Sequence, residues 1–228
     1  MFEVEMKFRL TDVVAFERKL SETLHVTLDA VRTESDLYFQ RESRDFRETG
    51  EALRIRRVGD ELRITYKGPR LDQTTKTREE IEIPLLTRET GGSTGDQFPL
   101  IDEDRVVQRK EEWTHLLGRL GYSPFAEVEK KRRSGSFSFQ GREFNVTSDH
   151  LEGIGDFTEI ETIAMGEEDL EESRQLVLAL AGILDLTESV RTSYLTLYLQ
   201  SLHPTEKIED DLSTNSGPFP SPKNAEND

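Results

Sequence analysis

Phe2-Glu3-Val4-Glu5-Met6-Lys7-Phe8-Arg9 is the stretch on which the fold turns. Apolar Phe2, Val4, Met6 and Phe8 alternate strictly with charged Glu3, Glu5, Lys7 and Arg9. A period of two marks a β-strand with two chemically different faces. Such a strand normally turns its apolar face to a core and its charged face to water. Four later segments repeat the pattern. In Leu53-Arg54-Ile55-Arg56 the arginines share one side, and in Leu62-Arg63-Ile64-Thr65-Tyr66-Lys67 Arg63 and Lys67 oppose Leu62, Ile64 and Tyr66. Lys76, Arg78, Glu80 and Glu82 run in one phase opposite Ile81 and Ile83, and Glu159 stands with Glu161 in Phe157-Thr158-Glu159-Ile160-Glu161. One such strand is ordinary wet surface. Their recurrence argues for a shared, ion-lined interior.

The segments between them complete an antiparallel scheme. Thr11 can cap a helix from Asp12 to Leu24, with Val13, Val14, Phe16, Leu20 and Leu24 as its apolar stripe. Strands are expected over Ala30 to Gln40, Ala52 to Val58, Glu61 to Lys67 and Thr75 to Pro84, with a tight hairpin at Gly59-Asp60. Leu86 to Phe98 is rich in Gly, Ser and Thr and reads as an exposed loop. Asp102 to Leu120 reads as a helix burying Val106, Trp113, Leu116, Leu117 and Leu120, closed by Gly121. Glu127 to Phe139 and Arg142 to Ser148 form a second hairpin at Gln140-Gly141, followed by a strand from Phe157 to Ile163. Glu167 to Leu184 is an amphipathic helix, and Ser193 to Leu202 a short helix for which a strand is also allowed. The expected domain is 1–203; residues 204–228 are acidic, rich in Pro, Ser and Asn, and read as a disordered tail. The regular strand–helix alternation of a parallel α/β fold is absent. An α+β fold follows, an antiparallel sheet curled into a barrel with helices packed outside.

Composition narrows the chemistry. The chain has 228 residues, 34% hydrophobic and 33% charged, with 30 Lys and Arg against 46 Asp and Glu and a formal net charge of −16. Such a surface repels nucleic acid and anionic membranes, so neither is an expected partner. The basic residues comprise 9 Lys and 21 Arg. Abundant acids with scarce lysine suggest a halophile-like surface, kept soluble where salt screens charge. With no cysteine, disulfides and thiolate metal sites are excluded, and four scattered histidines offer no zinc spacing. Any metal should be a hard cation on carboxylates, magnesium or manganese. The first residues lack an apolar signal region and no apolar run suffices to span a bilayer, so a cytoplasmic protein is expected.

A lining of Arg, Lys and Glu suits polyphosphate. Arg offers bidentate hydrogen bonds to phosphate oxygens and Lys a compact charge. Carboxylates among them would repel phosphate unless a divalent cation bridges the two. No Gly-rich phosphate loop occurs.

The chain resembles the CYTH superfamily, the triphosphate tunnel metalloenzymes. The resemblance opens on Glu3-x-Glu5-x-Lys7. It continues through Asp36-Leu37-Tyr38-Phe39, Leu53-Arg54-Ile55-Arg56, Thr65-Tyr66-Lys67-Gly68-Pro69, Lys76-x-Arg78-Glu79-Glu80, Lys130-Lys131-Arg132-Arg133 and the run from Asp149 to Glu161. It implies an eight-stranded antiparallel tunnel. It also implies metal-side carboxylates at Glu3, Glu5, Asp149, Glu159 and Glu161, not all of them direct ligands, and phosphate-side cations at Lys7, Arg54, Arg56, Lys67, Lys76, Arg78, Lys130 and Arg132. Arg63 joins these by sharing a strand face with Lys67, and Lys7 is the candidate catalytic proton acceptor. Alternation from Val128 would turn Lys130 and Arg132 outward, whereas the resemblance points them inward, which requires a bulge or a register change.

The spelling of the later motifs is most similar to the class IV adenylate cyclase branch. That implies conversion of ATP to cyclic AMP and pyrophosphate with Mg2+ or Mn2+, and a homodimer would be in keeping with it. The alternative is a triphosphatase acting on inorganic triphosphate, thiamine triphosphate or a nucleoside triphosphate. A non-catalytic polyphosphate-binding module is the third reading, disfavoured because a pure anion binder gains nothing from carboxylates.

Overall fold

In the computed structural model, which describes residues 2–44, 46–69, 77–87 and 102–202, the alternating N-terminal stretch is strand β1 (Phe2–Leu10). Helix α1 (Val13–Leu24) follows, capped not by Thr11 but by Asp12, whose side chain accepts from Ala15 N at 2.9 Å. Then come β2 (Arg32–Gln40), a single helical turn α2 (Phe46–Thr49), β3 (Ala52–Val58), β4 (Glu61–Lys67) and β5 (Arg78–Leu86). Helix α3 (Glu103–Arg119) leads to the long hairpin of β6 (Ser123–Phe139) and β7 (Arg142–Leu151), and then to β8 (Gly155–Ala164). A 3-10 turn (Glu167–Asp169), α4 (Leu170–Ile183) and α5 (Tyr194–Leu202) complete the described chain. No helix among the described residues is long and apolar enough to cross a membrane. The expected tail 204–228, and the expected loop beyond residue 87, lie outside the described residues, as does Lys76.

The strands form a closed antiparallel barrel in the order β1-β5-β4-β3-β2-β6-β7-β8. β1 pairs with β8 over nine residues but with β5 only at Phe2 and Glu3. Beyond that short seam, the segment after α4 lies along β1. Arg9 N donates to Glu188 O at 3.0 Å and Val190 N to Lys7 O at 2.7 Å. Turn chemistry sets the hairpin registers. At Gln140-Gly141 both residues have positive φ (50° and 79°), matching the twist of β6 and β7. Gly155 opens β8 at φ 131°, and a Cβ there would stand 2.8 Å from Arg9 Nη1.

Apolar faces pack outward under helices, as the alternation predicts. Val4, Met6, Phe8 and Leu10 join Phe144, Val146 and Ile160 against Phe16 and Leu20 of α1 and Leu176, Val177 and Leu180 of α4. Each fully buried side chain of this kind contributes about 1.5–3 kcal/mol. Phe39, Leu53, Ile55, Leu62 and Leu86 meet Val106 and Leu117 of α3, with Trp113 packed beside them. Leu116 and Leu120, expected to be buried, are 46% and 58% exposed because α3 covers the barrel with a narrower stripe.

A third cluster breaks the rule. Tyr38, Val128, Leu151 and Phe157 share strand faces with Asp36, Lys130, Asp149 and Glu159, and so lie on the inner wall; they pack there with Tyr194 of α5. One end of the interior is therefore apolar and closed. Val128 faces inward, so Lys130 and Arg132 do too, with no bulge between them. The register shift of β6 lies earlier, at Phe125, between the pairs Tyr38–Ala126 and Phe39–Pro124.

Candidate functional site

Inside the barrel the polar faces of all eight strands meet. Lys7, Arg54, Arg78, Lys130 and Arg132 are each less than 10% exposed, as are Glu5, Glu34, Asp36, Asp149 and Glu159. Charges buried at this density persist only if paired.

On the β2–β3–β6 wall the cations hold acids. Arg56 donates through Nε and Nη2 to the two oxygens of Asp36, at 2.7 and 2.8 Å, and Arg54 Nη1 reaches Asp36 Oδ2 at 3.2 Å. Glu34 Oε2 lies 3.1 Å from both Arg56 Nη1 and Lys130 Nζ. Burial raises the pKa of Glu34 and Asp36, but the surrounding cations outweigh it and hold both well below the usual carboxylate range. Burial pushes the Lys130 ammonium down, and neighbouring Arg132 and Arg56 push the same way.

Across the β6–β7–β8 wall Arg132 is the hub. Its Nε donates to Asp149 Oδ1 at 2.6 Å, and its Nη2 to Asp149 Oδ2 and to Glu159 Oε2, each at 2.5 Å. Asp149 Oδ2 also accepts from Tyr194 OH at 2.7 Å and Thr147 Oγ1 at 3.3 Å. Burial, with Glu159 and Asp149 close by, raises the Tyr194 phenol well above its ordinary pKa and keeps it a donor.

The third wall carries the acids that remain. Glu3, Glu5 and Glu161 each offer a carboxylate oxygen, all within 4.8 Å of one another. β1 and β8 bring them together through the register pair Glu5–Glu161. Burial, with Glu3 and Glu5 beside it, pushes Glu161 up to about 7. Glu3 is also raised, by burial and by Glu80, against the pull of Lys67. Lys67 Nζ sits 3.1 Å from Glu3 Oε1 and 2.5 Å from Glu80 Oε2. Three hard oxygen donors crowded at this cost fit a divalent cation of the magnesium or manganese type, which would relieve their mutual repulsion.

Of the metal-side residues expected from sequence, the structure gathers Glu3, Glu5 and Glu161. It places Asp149 and Glu159 on Arg132 instead. Of the cations, Arg54, Arg56, Lys67, Arg78, Lys130 and Arg132 line the interior, while Lys131 and Arg133 turn out, Arg133 to Glu17. Arg63 keeps the inward phase but stands at an open rim, its side chain 44% exposed and paired with Glu61 and Glu82. Lys7 is 1% exposed, its Nζ 3.8 Å from the centroid of the Tyr194 ring.

Four contributors are not among the site residues expected from sequence, though Asp36 and Glu80 stand in its motifs: Glu34, Asp36, Glu80 and Tyr194. Glu34 and Asp36 were legible, since they alternate with Ser35 and Leu37 in β2, and Glu80 shares a face with Arg78. Tyr194 comes from a helix beyond the barrel and has no periodic signal.

Comparison with known proteins agrees with this architecture. The profile described as CYTH domain matches residues 1–194. A Methanocaldococcus jannaschii protein, provisionally named an adenylate cyclase, is 31% identical over 201 residues, covering 86% of this chain and 98% of its own length. The adenylate cyclase CyaB of Aeromonas hydrophila is 33% identical over 206 residues, 88% of this chain and 91% of that protein. Among solved structures, a Pyrococcus horikoshii protein superposes with a TM-score of 0.67 at 31% identity, over 87% of this chain and 98% of its own. The fold is shared by a Hippeastrum protein, provisionally an adenylyl cyclase and described as having a dominant triphosphatase activity (TM-score 0.52, 16% identity, 87% of this chain and 95% of that one).

Proposed function

This chain belongs to the CYTH domain family, and on that premise we propose that it is a metal-dependent enzyme acting on a triphosphate held inside the barrel, converting ATP to cyclic AMP and pyrophosphate. The observation that carries the reading is the gathering of Glu3, Glu5 and Glu161 in the same closed interior as Arg54, Arg56, Lys130 and Arg132. A simple anion pocket would exclude the carboxylates. A metal site alone would need no row of arginines. A metal–triphosphate complex needs both.

Arg54, Arg56 and Lys130 bind the phosphate oxygens, which take over hydrogen bonds now made to Asp36 and Glu34. The Arg132 guanidinium, held from one side by Asp149 and Glu159, faces the chain from the other. A bound magnesium or manganese ion supplies charge neutralisation on the phosphate oxygens, with Glu3, Glu5 and Glu161 as its protein ligands. In cyclisation the ribose 3′-oxygen bonds to the α-phosphorus as the α–β bridging bond breaks and pyrophosphate leaves with that oxygen. The hydroxyl proton passes to a base, for which Lys7, two residues along β1 from Glu5, is the candidate once deprotonated. The cations stabilise charge developing on the leaving group.

Hydrolysis of the terminal phosphate is the second reading. It is favoured by the use of the inner rings: Tyr38, Phe157 and Tyr194 are all packed into the closed end, so among the described residues none of the three stands ready to stack on a base. Incubation with Mg2+ or Mn2+ and either ATP or inorganic triphosphate, with products resolved, separates the two. Cyclic AMP supports the first reading and inorganic phosphate alone the second. Absence of turnover and of binding with both substrates rejects both.

A further inference from the structure

Tyr194 belongs to no strand, yet its side chain reaches the centre of the charge network. Two backbone hydrogen bonds, Arg9 N to Glu188 O and Val190 N to Lys7 O, fix the segment before α5 along β1. Four residues past the second of these, Tyr194 enters the interior. Its ring stacks edge-on to Phe157, with centroids 5.5 Å apart, and lies 3.8 Å from Lys7 Nζ and 5.2 Å from Lys130 Nζ. Its hydroxyl donates to Asp149 Oδ2 at 2.7 Å, the same oxygen that accepts from Arg132 Nη2.

We propose that Tyr194 is a positioning residue for the phosphate-binding cations: its hydroxyl fixes Asp149, and through it the plane of Arg132, while its ring holds the side-chain nitrogens of Lys130 and of its neighbour Lys7 in place. The two halves of the side chain do different work. An aromatic face attracts an ammonium without adding an oxygen acceptor that a phosphate must displace. The hydroxyl is a neutral donor, so it restrains Asp149 without competing for its negative charge. The inference rests on the triphosphate reading for its purpose, but the restraint on Arg132 is a property of the protein alone.

Two conservative variants of the full chain separate the halves. Tyr194→Phe removes only the hydroxyl; Tyr194→Leu keeps apolar bulk and removes the ring. Two readouts apply. The first is restricted rotation about the Arg132 Nε–Cζ bond by NMR in ligand-free protein. The second is affinity for inorganic triphosphate in Mg2+ by calorimetry. In Tyr194→Phe the Arg132 signal should lose its restricted rotation and triphosphate affinity should fall about tenfold, the scale of one hydrogen bond to a charged group. In Tyr194→Leu the loss should be larger, with the melting transition still cooperative. Arg132 equally restrained in wild type and Tyr194→Phe would overturn the proposal, as would measurable and equal triphosphate affinity in all three proteins. A wild-type protein that binds no triphosphate but shows the Arg132 difference would overturn the functional reading and uphold the positioning.

Discussion

Arg132 clasps Asp149 with two of its nitrogens, Nε on one carboxylate oxygen at 2.6 Å and Nη2 on the other at 2.5 Å. Asp149 is 1% exposed. A carboxylate held this way supports a cation, and we propose that Asp149 serves Arg132 and not the metal.

Replacing it should therefore damage the fold and spare the metal site. Asp149→Ala leaves a buried guanidinium short of a counter-ion and should cost about 3 kcal/mol. That corresponds to a fall in Tm of about 6–12 °C for a chain of this size. Manganese affinity, measured by calorimetry, should stay within about twofold of wild type. A large loss of manganese binding with Tm unchanged would return Asp149 to the metal ligands.

Glu5→Gln should do the reverse. It removes one of three mutually repelling carboxylates, so the metal-free protein should melt at the same temperature or higher. Manganese affinity should drop at least tenfold, because one charged ligand is gone. Calorimetry and thermal denaturation with and without chelator read both effects.

Glu161 gives a pH signature. Its pKa is raised from 4.5 to about 7 by burial and by Glu3 and Glu5. Below about 4.5 it is protonated in both folded and unfolded chains. As pH rises toward 7 only the unfolded chain ionises, so the folded state loses stability across that window. Metal-free wild type should thus match Glu161→Gln near pH 4.5 and become progressively less stable than it up to about pH 7. Added Mn2+ should reverse the order above pH 7, where the ionised trio is ready for the cation. Parallel Tm curves for the two proteins at every pH would refute the assignment.

Arg56 and Arg63 face the same way from adjacent strands, yet they should behave differently. Arg56→Ala removes a largely buried cation, its side chain 12% exposed, bonded to Asp36 and Glu34, and should weaken triphosphate binding by about 2 kcal/mol, roughly thirtyfold. Arg63→Ala disturbs rim ion pairs worth less than about 1 kcal/mol and should alter binding no more than about twofold. Titration with inorganic triphosphate in Mg2+ decides.

The barrel could be read from sequence because alternation is a local signal. β1, β3 and β4 announce themselves by period two, and the Gln140-Gly141 turn by its residue types. What alternation does not say is which face is in. Val128 illustrates the limit: taken as an outward apolar residue, it turns Lys130 and Arg132 to solvent, but it belongs to the apolar end of the interior with Tyr38 and Phe157. The site was legible as a set of charges but not as partnerships. Asp149 and Glu159 carry the same charge as Glu161, and only the place of Arg132 in space divides the two held by a guanidinium from the trio with Glu3 and Glu5. Tyr194 left no trace, because its part depends on where a helix outside the sheet happens to seat. Lys76 falls outside the described residues.

The seam beside β1 also bears on how the protein is made. β1 is translated before the other seven strands, but β8, with which it pairs over nine residues, is the last of the eight. Until β8 is available, β1 lacks the partner that pairs along its length, and its open edge is exposed to misassembly. The carboxylate trio draws on the first strand and the last, Glu3 and Glu5 from β1 and Glu161 from β8. The proposed metal site is therefore completed only once β8 has closed on β1, so manganese affinity would report closure of the barrel.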